Sequence, residues 1–403
     1  MKRRSATISR GTPLPARFES VASVVAIALL AACASAPPDT SATAPPAPVL
    51  NDRLFAPPTE RIAAAEVFAL SPAMRRFLAV EIAAPLRAKG RQRALVEALG
   101  NQGPLKLRYD ATTTRNAAQA FEARAGNCLS LVLLTAALAK ELGLGVQYRS
   151  VVVDDTWSRV GGLYVSSGHV NLTLVPRATD LRFGHLDTGT ETTIDFLPPE
   201  DLRGQRGRTI SEATVLAMYM NNRAAEALAQ GRLDEAYAWA REAIAQDPRF
   251  LAGHNTLGAI YRQHGNLAEA EWVFRGILSV EPDNATVLSN LVQLLREAGR
   301  QAEAEPLAQR LAILQPEPPF LYFDRGIAAM QRGDYRTARD NFRKEVDRAA
   351  YWHEFHFWLA LAYARLGDLP QARAHLATAV ENSTGNDERA LYAAKLERLN
   401  LHR

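Results

Sequence analysis

The amino-acid sequence predicts an α+β domain followed by an all-α solenoid of helical repeats. In the C-terminal half, glycine recurs with a constant step of 34 residues, which is the length of a two-helix repeat unit. In the middle of the chain, a long apolar segment precedes segments in which apolar and polar residues alternate, as expected for a buried helix followed by strands. At 403 residues, the chain is long enough for two or three domains.

Residues 1–33 predict an export signal. Basic side chains precede an almost purely apolar run over 21–32, which is too short to span a bilayer comfortably. The run ends in Leu30-Ala31-Ala32-Cys33, which resembles the lipobox of bacterial lipoproteins. This resemblance implies that Cys33 carries lipid and becomes the mature N-terminus. The alternative is an ordinary signal peptide cut after Ala34 or Ala36, which would discard Cys33.

The segment 34–55 is rich in Ala and Pro and predicts a linker that tethers the protein to the membrane. By the same resemblance, Ala34 in place of Asp implies an anchor in the outer membrane, facing the periplasm. The net charge of +4 is spread along the chain without a basic stripe interleaved with aromatic residues, so nucleic acid is not an expected partner. The sequence shows no metal cluster, nucleotide loop or calcium loop, and neither a metal nor a cofactor is expected.

Residues 56–205 predict the α+β domain. Apolar residues at helical spacing predict helices over 62–69, 74–86 and 95–99, and a fourth through 117–122 with its N-cap at Thr112–Thr114. The next helix begins at Asn127-Cys128, ends at Gly143 and is apolar on nearly every face, so we expect it at the centre of the domain. Strands are predicted over 146–153, 168–174 and 191–197.

Cys128 is the only thiol left if Cys33 is acylated, so no internal disulfide is expected. It lies in the first turn of the apolar helix, where free backbone N–H groups and the helix dipole favour a thiolate, and Asn127 is suited to cap that turn. The strand alternation places His169 on the face opposite the apolar residues, and Asp195 lies near the end of the next strand. The alternative is that Cys128 is a packing residue and His169 an ordinary surface or core histidine.

Cysteine, histidine and aspartate are the residue types that acyl transfer requires. The thiolate attacks an amide carbonyl, the imidazole moves a proton to the leaving amine, and the carboxylate fixes the imidazole tautomer. The strings Gly126-Asn127-Cys128-Leu129-Ser130, Ser167-Gly168-His169-Val170-Asn171-Leu172 and Thr193-Ile194-Asp195-Phe196 resemble bacterial transglutaminase-like domains over roughly residues 60–200. The resemblance implies Cys128 as nucleophile, His169 as general base and acid, and Asp195 as orienting carboxylate. Rivals for the carboxylate and imidazole roles remain: Asp180, Asp187, Asn171 and His185.

The same resemblance implies a cysteine hydrolase or acyltransferase that acts on amide bonds of a protein or peptide, with water as the default acceptor. Transglutaminase-like domains include proteases, peptide N-glycanases and cross-linking enzymes, so the fold does not choose among them. One oxyanion donor would be the Cys128 backbone N–H, and the second a side chain upstream or in the Trp157 loop. The alternative is a degenerate domain in a non-catalytic scaffold lipoprotein that mediates protein interactions in the envelope.

Residues 214–386 predict five helix–turn–helix repeats, followed by a capping helix over 387–403. An alanine lies five residues after each repeated glycine, and prolines close the first three units. These positions are Gly231, Gly265, Gly299, Gly333, Gly367, Ala236, Ala270, Ala304, Ala338, Ala372, Pro248, Pro282 and Pro316. The pattern resembles the tetratricopeptide (TPR) family, which implies a superhelix whose inner surface is lined by the first helix of each repeat.

The predicted inner groove changes from polar to apolar along the array. The side chains expected to bind a protein or peptide partner are Asn255, Arg262, Ser289, Gln293, Arg296, Phe320 and Phe323. Amide and guanidinium groups at one end and aromatic rings at the other suit an extended peptide with a carboxylate and hydrophobic anchors. The alternative is that the aromatic residues pack on a neighbouring repeat or on the first domain.

Overall fold

The computed structural model of the chain describes residues 44–47, 50–100, 103–110, 113–151, 157–160, 163–166, 169–175, 191–196, 207–350, 352–383 and 386–401. The predicted signal peptide with Cys33 and much of the predicted linker lie outside these residues, as do Asp180, His185 and Asp187. Across the described ranges, we find no helix that combines the length and the apolar character needed to cross a membrane.

Short helices lead into the first sheet. Their bounds are Asp52–Leu54 and Ala64–Glu66 for two 3-10 turns, Pro72–Arg76 for α1, Phe77–Glu81 for a π-helical turn, Ala83–Lys89 for α2, Arg91–Leu99 for α3, Ala117–Ala123 for α4 and Cys128–Glu141 for α5. The prediction of a full helix over 62–69 is wrong. So short a stripe does not offset the cost of nucleation, and the next helix is started by Ser71, whose hydroxyl accepts from the Met74 N–H at 3.2 Å.

The N-cap of α4 also differs from the prediction. Asn116, not the Thr112–Thr114 cluster, begins the helix, because its side chain accepts from the Gln119 N–H at 2.9 Å. The Gln119 side chain in turn accepts from the Asn116 N–H at 3.1 Å. This reciprocal capping box satisfies two backbone donors, whereas a threonine followed three residues later by an apolar residue would satisfy only one.

Within the described ranges, four antiparallel strands form the main sheet in the order β7-β6-β3-β8. The strand bounds are Arg108–Tyr109 for β1, Ala125–Gly126 for β2, Gly145–Val151 for β3, Trp157–Val160 for β4, Leu163–Ser166 for β5, His169–Val175 for β6, Thr192–Ile194 for β7 and Gly207–Ile210 for β8. β1 pairs in parallel with β2, and β4 pairs with β5 as a hairpin. Helix α5 packs against this sheet, and every side chain from Leu129 to Ala139 is buried, as its apolar sequence predicts.

Between residues 211 and 383, where the structure describes every residue but 351, the chain folds as ten α-helices in five successive pairs. Their bounds are Glu212–Ala229 (α6), Leu233–Gln246 (α7), Leu251–His264 (α8), Leu267–Val280 (α9), Ala285–Glu297 (α10), Gln301–Leu314 (α11), Leu321–Gln331 (α12), Tyr335–Arg348 (α13), His353–Arg365 (α14) and Leu369–Asn382 (α15). A further helix, α16 over Asn386–Leu401, packs on α15.

The step of 34 residues has its physical cause at the turn inside each pair. The five repeated glycines all adopt positive φ, between 72° at Gly231 and 92° at Gly265. Residues that have a Cβ rarely adopt this backbone conformation. The five repeated alanines are 0 % exposed, because they lie where the two helices cross. Close crossing also explains Gly258, whose added Cβ would lie 2.5 Å from the Phe274 ring.

One hydrophobic core joins the first domain to the first three repeats. Buried residues of α5 and β6 belong to the same continuous cluster as those of α6 through α11. The predicted linker also ends inside this body, because the Phe55 ring stacks on Tyr237 with 4.0 Å between ring centroids. The Tyr237 hydroxyl donates to Asp52 at 2.8 Å. Residues 52–55 are therefore docked on the array and do not serve as a free tether.

Candidate active site

The nucleophile candidate, Cys128, is the first residue of α5, and the residues around it explain its position. The Asn127 side chain accepts from the Ser130 N–H at 2.9 Å, which caps the helix as the sequence predicted. The Ser130 hydroxyl also donates to Asn127, at 2.8 Å. Gly126 precedes this turn because an added Cβ would lie 2.6 Å from the Ser130 Cβ. The Gly-Asn-Cys-Leu-Ser string thus builds one tight helix start, and Cys128 is half-buried at it.

The sheet register brings His169 and Asp195 together. β6 and β7 are antiparallel, and Leu172 pairs with Ile194. Asp195, the residue after Ile194, therefore lies toward the start of β6, where His169 is. His169 Nε2 and Asp195 Oδ1 are 2.8 Å apart, and the Asn171 amide donates to Asp195 Oδ2 at 2.8 Å. Asn171, a rival for the third role, therefore holds the carboxylate and leaves the imidazole to Asp195.

His169 also contacts the thiol. Its imidazole is hydrogen-bonded to the Cys128 side chain, and since Nε2 faces Asp195, Nδ1 is the ring nitrogen that faces the sulfur. Burial lowers the pKa of His169, but hydrogen bonds with Asp195 and Cys128 outweigh burial and raise that pKa to about 9. The imidazole is thus charged at neutral pH, beside the sulfur on one side and the carboxylate on the other.

The two faces of β6 follow the predicted alternation. Val170, Leu172 and Leu174 pack into the core, and the opposite face is covered too, with His169 only 4 % exposed. The reason is that β6 is an inner strand whose polar side chains bond across to the segment 192–195; Thr173, for example, lies 3.0 Å from Thr193 between hydroxyl oxygens. His169 is therefore buried among the polar side chains of β6 and of the segment 192–195, and does not lie on an open face of the sheet.

A support for the thiol loop comes from the repeat array, and no sequence pattern indicates it. The Asn127 amide donates to the Thr114 hydroxyl at 2.8 Å, and the Thr114 N–H donates to Glu226 of α6 at 2.7 Å. Burial raises the pKa of Glu226, while its hydrogen bonds with Thr114 oppose that rise. Thr114 and Glu226 are 112 residues apart, so no local pattern could have revealed the link.

The polar end of the predicted partner groove is largely engaged within the array. Arg262 donates to Glu297 at 2.8 Å and to Gln293 at 3.2 Å, and this pairing lowers the pKa of Glu297. The Asn255 side chain accepts from the Asn290 amide at 2.9 Å. These groups tie α8 to α10 and leave Arg262 only 12 % exposed.

The other groove residues lie in different surroundings. Ser289 is half-buried and Arg296 is exposed. Phe320 and Phe323 are buried against Phe355 of α14, with ring centroids 5.5 and 5.3 Å from it, so they fill a core between neighbouring repeats. The β4–β5 hairpin of the first domain lies against α6, α8 and α10, which are the first helices of three repeats.

Elsewhere in the described ranges, no group of three or more His, Cys, Asp or Glu side chains is arranged to hold a metal ion.

Comparison with known proteins identifies the repeats. The tetratricopeptide repeat family matches residues 255–319 and 323–387, and a second family of the same description matches 217–242. The C-terminal region of the chain is therefore an array of tetratricopeptide repeats, as the spacing predicted.

The similar proteins cover the same region. Cellulose synthase operon protein C of Pseudomonas fluorescens (strain SBW25) is 29 % identical over 171 residues, which is 40 % of this chain and 13 % of that protein. A relative from Escherichia coli O157:H7 is 28 % identical over 155 residues, again 13 % of its length. A solved thermophilic TPR protein of Thermus thermophilus has 19 % identity and a TM-score of 0.31, covering 45 % of this chain and 98 % of its own. The chain thus spans about one eighth of the curated relatives that it matches.

Proposed function

We propose that the protein is a cysteine hydrolase or acyltransferase of the transglutaminase-like class, acting on amide bonds of a protein or peptide gathered through its repeats. The observation that carries the proposal is the assembly of three side chains. His169 lies between Cys128 at a helix N-terminus and Asp195 at 2.8 Å. A structural cysteine would need neither a charged imidazole beside it nor a carboxylate to orient that imidazole.

The chemistry follows from the contacts. The Cys128 sulfur attacks the carbonyl carbon, and the carbonyl π electrons move to the oxygen. The C–N bond then breaks, and the leaving nitrogen takes the proton held on His169 Nδ1. The deprotonated imidazole next takes a proton from water or an amine, whose oxygen or nitrogen attacks the acyl carbon. The carbon–sulfur bond breaks, and the free sulfur and the charged imidazole of the resting site are restored. Asp195 keeps the imidazole oriented throughout and stabilises its positive charge.

The rival function is a scaffold without catalysis, and the comparisons support it more directly. They match the repeats, and tetratricopeptide repeats bind protein or peptide partners. Under this alternative, the first domain is structural and the array carries the whole function. The two functions share the array and differ only in whether the sulfur of Cys128 reacts.

We also propose that acylated Cys33 anchors the protein in the outer membrane, facing the periplasm. Docking of Asp52 and Phe55 on α7 limits how far the body can lie from that anchor. A chain of the 17 residues 34–50 spans at most about 60 Å when fully extended. The enzyme would therefore act on partners close to the membrane surface.

A test of the proposed function uses p-nitrophenyl acetate, an activated ester that acylates reactive cysteines without help from a specific substrate. The full chain should release about one equivalent of p-nitrophenolate in a rapid burst as Cys128 is acylated. Cys128→Ser and His169→Ala should abolish the burst, with circular dichroism as the check that both variants fold. If the wild-type burst is no larger than that of Cys128→Ser, the scaffold alternative holds.

A further inference from the structure

The parallel pairing of β1 and β2 fixes Tyr109 beside the thiol. Tyr109 is in register with Gly126, two residues before Cys128. The backbone bonds on either side hold this register: the Arg108 N–H donates to the Arg124 carbonyl at 2.9 Å, and the Asp110 N–H donates to the Gly126 carbonyl at 3.0 Å. The two-residue strand β1 therefore places the side chain of Tyr109 next to the start of α5.

The Tyr109 hydroxyl meets Cys128 at two points. It is hydrogen-bonded to the Cys128 backbone N–H and to the Cys128 side chain. Tyr109 is 49 % exposed, so the residue lies at an open edge of the site. Burial raises the pKa of Tyr109 and so does the neighbouring sulfur, which keeps the phenol protonated at neutral pH. The group is thus an O–H donor at the place where the sulfur reacts.

Acyl transfer needs donors for the oxygen that gains charge when sulfur attacks. The Cys128 N–H lies in the first turn of α5, where backbone N–H groups have no partner within the helix, so it is suited to be one such donor. The Asn127 side chain is tied to its own loop, because its amide donates to Thr114 and its oxygen accepts from the Ser130 N–H. The Tyr109 hydroxyl already occupies the space in front of the Cys128 N–H, which is the space that a carbonyl oxygen must enter.

We propose that Tyr109 is a catalytic residue, the second donor of the oxyanion hole, a role that rests on the proposed function. In the resting site its hydroxyl bonds both the Cys128 N–H and the sulfur. When a carbonyl oxygen takes that place, the phenol turns its O–H to the oxygen. The negative charge that arises as the carbon–sulfur bond forms is then held by the Cys128 N–H and the Tyr109 O–H together. Collapse restores the C=O bond and expels the leaving group.

Two probes separate this role from a general effect on the thiol. Acylation of Cys128 by p-nitrophenyl acetate passes through an oxyanion, whereas alkylation by iodoacetamide is a displacement at carbon that forms none. In the full-length Tyr109→Phe variant, the ratio of the acylation rate to the alkylation rate should fall at least about tenfold. Tyr335→Phe, which removes a hydroxyl from α13 of the array, should leave the ratio unchanged.

Each other outcome overturns the assignment. An unchanged ratio in Tyr109→Phe, with the wild-type burst intact, would remove Tyr109 from the oxyanion hole and leave the proposed function standing. A faster acylation in the variant would show that the phenol obstructs the site. A wild-type chain without a burst would defeat the proposed function itself, and the role of Tyr109 with it. An alkylation rate of Cys128 in Tyr109→Phe that stays well above the rate in the urea-unfolded chain reports that the site has kept its structure.

Discussion

At the residue scale, the charge on His169 is the property that most affects the proposed chemistry. The imidazole lies between the negatively charged Asp195 carboxylate and the sulfur of Cys128. A cysteine sulfur attacks only as a thiolate, so a positive charge beside it matters. Asp195 reaches Nε2 at 2.8 Å and is itself held by Asn171, and these bonds orient the ring toward Cys128. The pKa of His169, raised to about 9, therefore sets the upper end of the pH range in which a charged imidazole faces the sulfur.

This charge predicts different pH profiles for two alkylating reagents. Below pH 9 the imidazolium attracts the anion iodoacetate to Cys128, and above it this attraction is lost, so the rate with iodoacetate should fall as the pH rises through about 9. The rate with neutral iodoacetamide should not fall there. In Asp195→Asn the fall should move to lower pH, because the carboxylate no longer raises the pKa of His169. Identical profiles for both reagents would contradict a charged His169 beside the sulfur.

Much of this site was predictable from sequence, because each main residue carries a local signal. Cys128 starts an apolar helix, His169 opens an alternating strand, and Asp195 directly follows another strand. The missing parts lack such a signal. Tyr109 is on a strand of two residues, too short to show a period, and Glu226 meets the thiol loop only through tertiary packing. Contacts across more than a hundred residues cannot be predicted from spacing.

At the element scale, the repeats are defined by steric needs that recur every 34 residues. The glycines adopt positive φ at the turn, and the alanines and Gly258 allow close helix crossing. These needs are local, which is why the array could be predicted in detail from sequence. The short helices before the sheet were harder to predict. The apolar stripe over 62–69, for example, is too short to distinguish a helix from a turn.

Two glycines of the second repeat make a matched pair for testing this packing. Gly258→Ala places a Cβ 2.5 Å from the Phe274 ring and should lower the free energy of unfolding by about 1–3 kcal/mol. Gly276→Ala meets only Pro46, at 3.7 Å, and should raise it by up to about 1 kcal/mol, since alanine favours the helix. Urea unfolding measures both changes, and equal effects of the two variants would count against the crossing as the cause.

At the scale of the whole molecule, the thiol site and the first repeats form one body. A single core runs from α5 to α11, and Glu212 of α6 pairs with Lys140 and accepts from the Tyr148 hydroxyl at 3.1 Å. The last two repeats have separate cores, one of them around Phe320, Phe323 and Phe355. The fold class could be predicted as two consecutive parts, but the shared core could not. It arises from surfaces that only meet once both parts are folded.

The proposed function makes the reactivity of Cys128 a property of the folded chain, and the kinetics of alkylation measure that property. Peptide mass spectrometry follows the alkylation of Cys128 by iodoacetamide at pH 6, in the native full-length chain and in the chain unfolded in urea. In the native chain a charged His169 lies beside the attacking sulfur, whereas the thiol of the unfolded chain has no such neighbour. We expect the native rate to exceed the unfolded rate at least about tenfold, and His169→Ala to remove the excess. A native rate equal to or below the unfolded rate would contradict the account, and Cys128 would then be a structural residue of a scaffold.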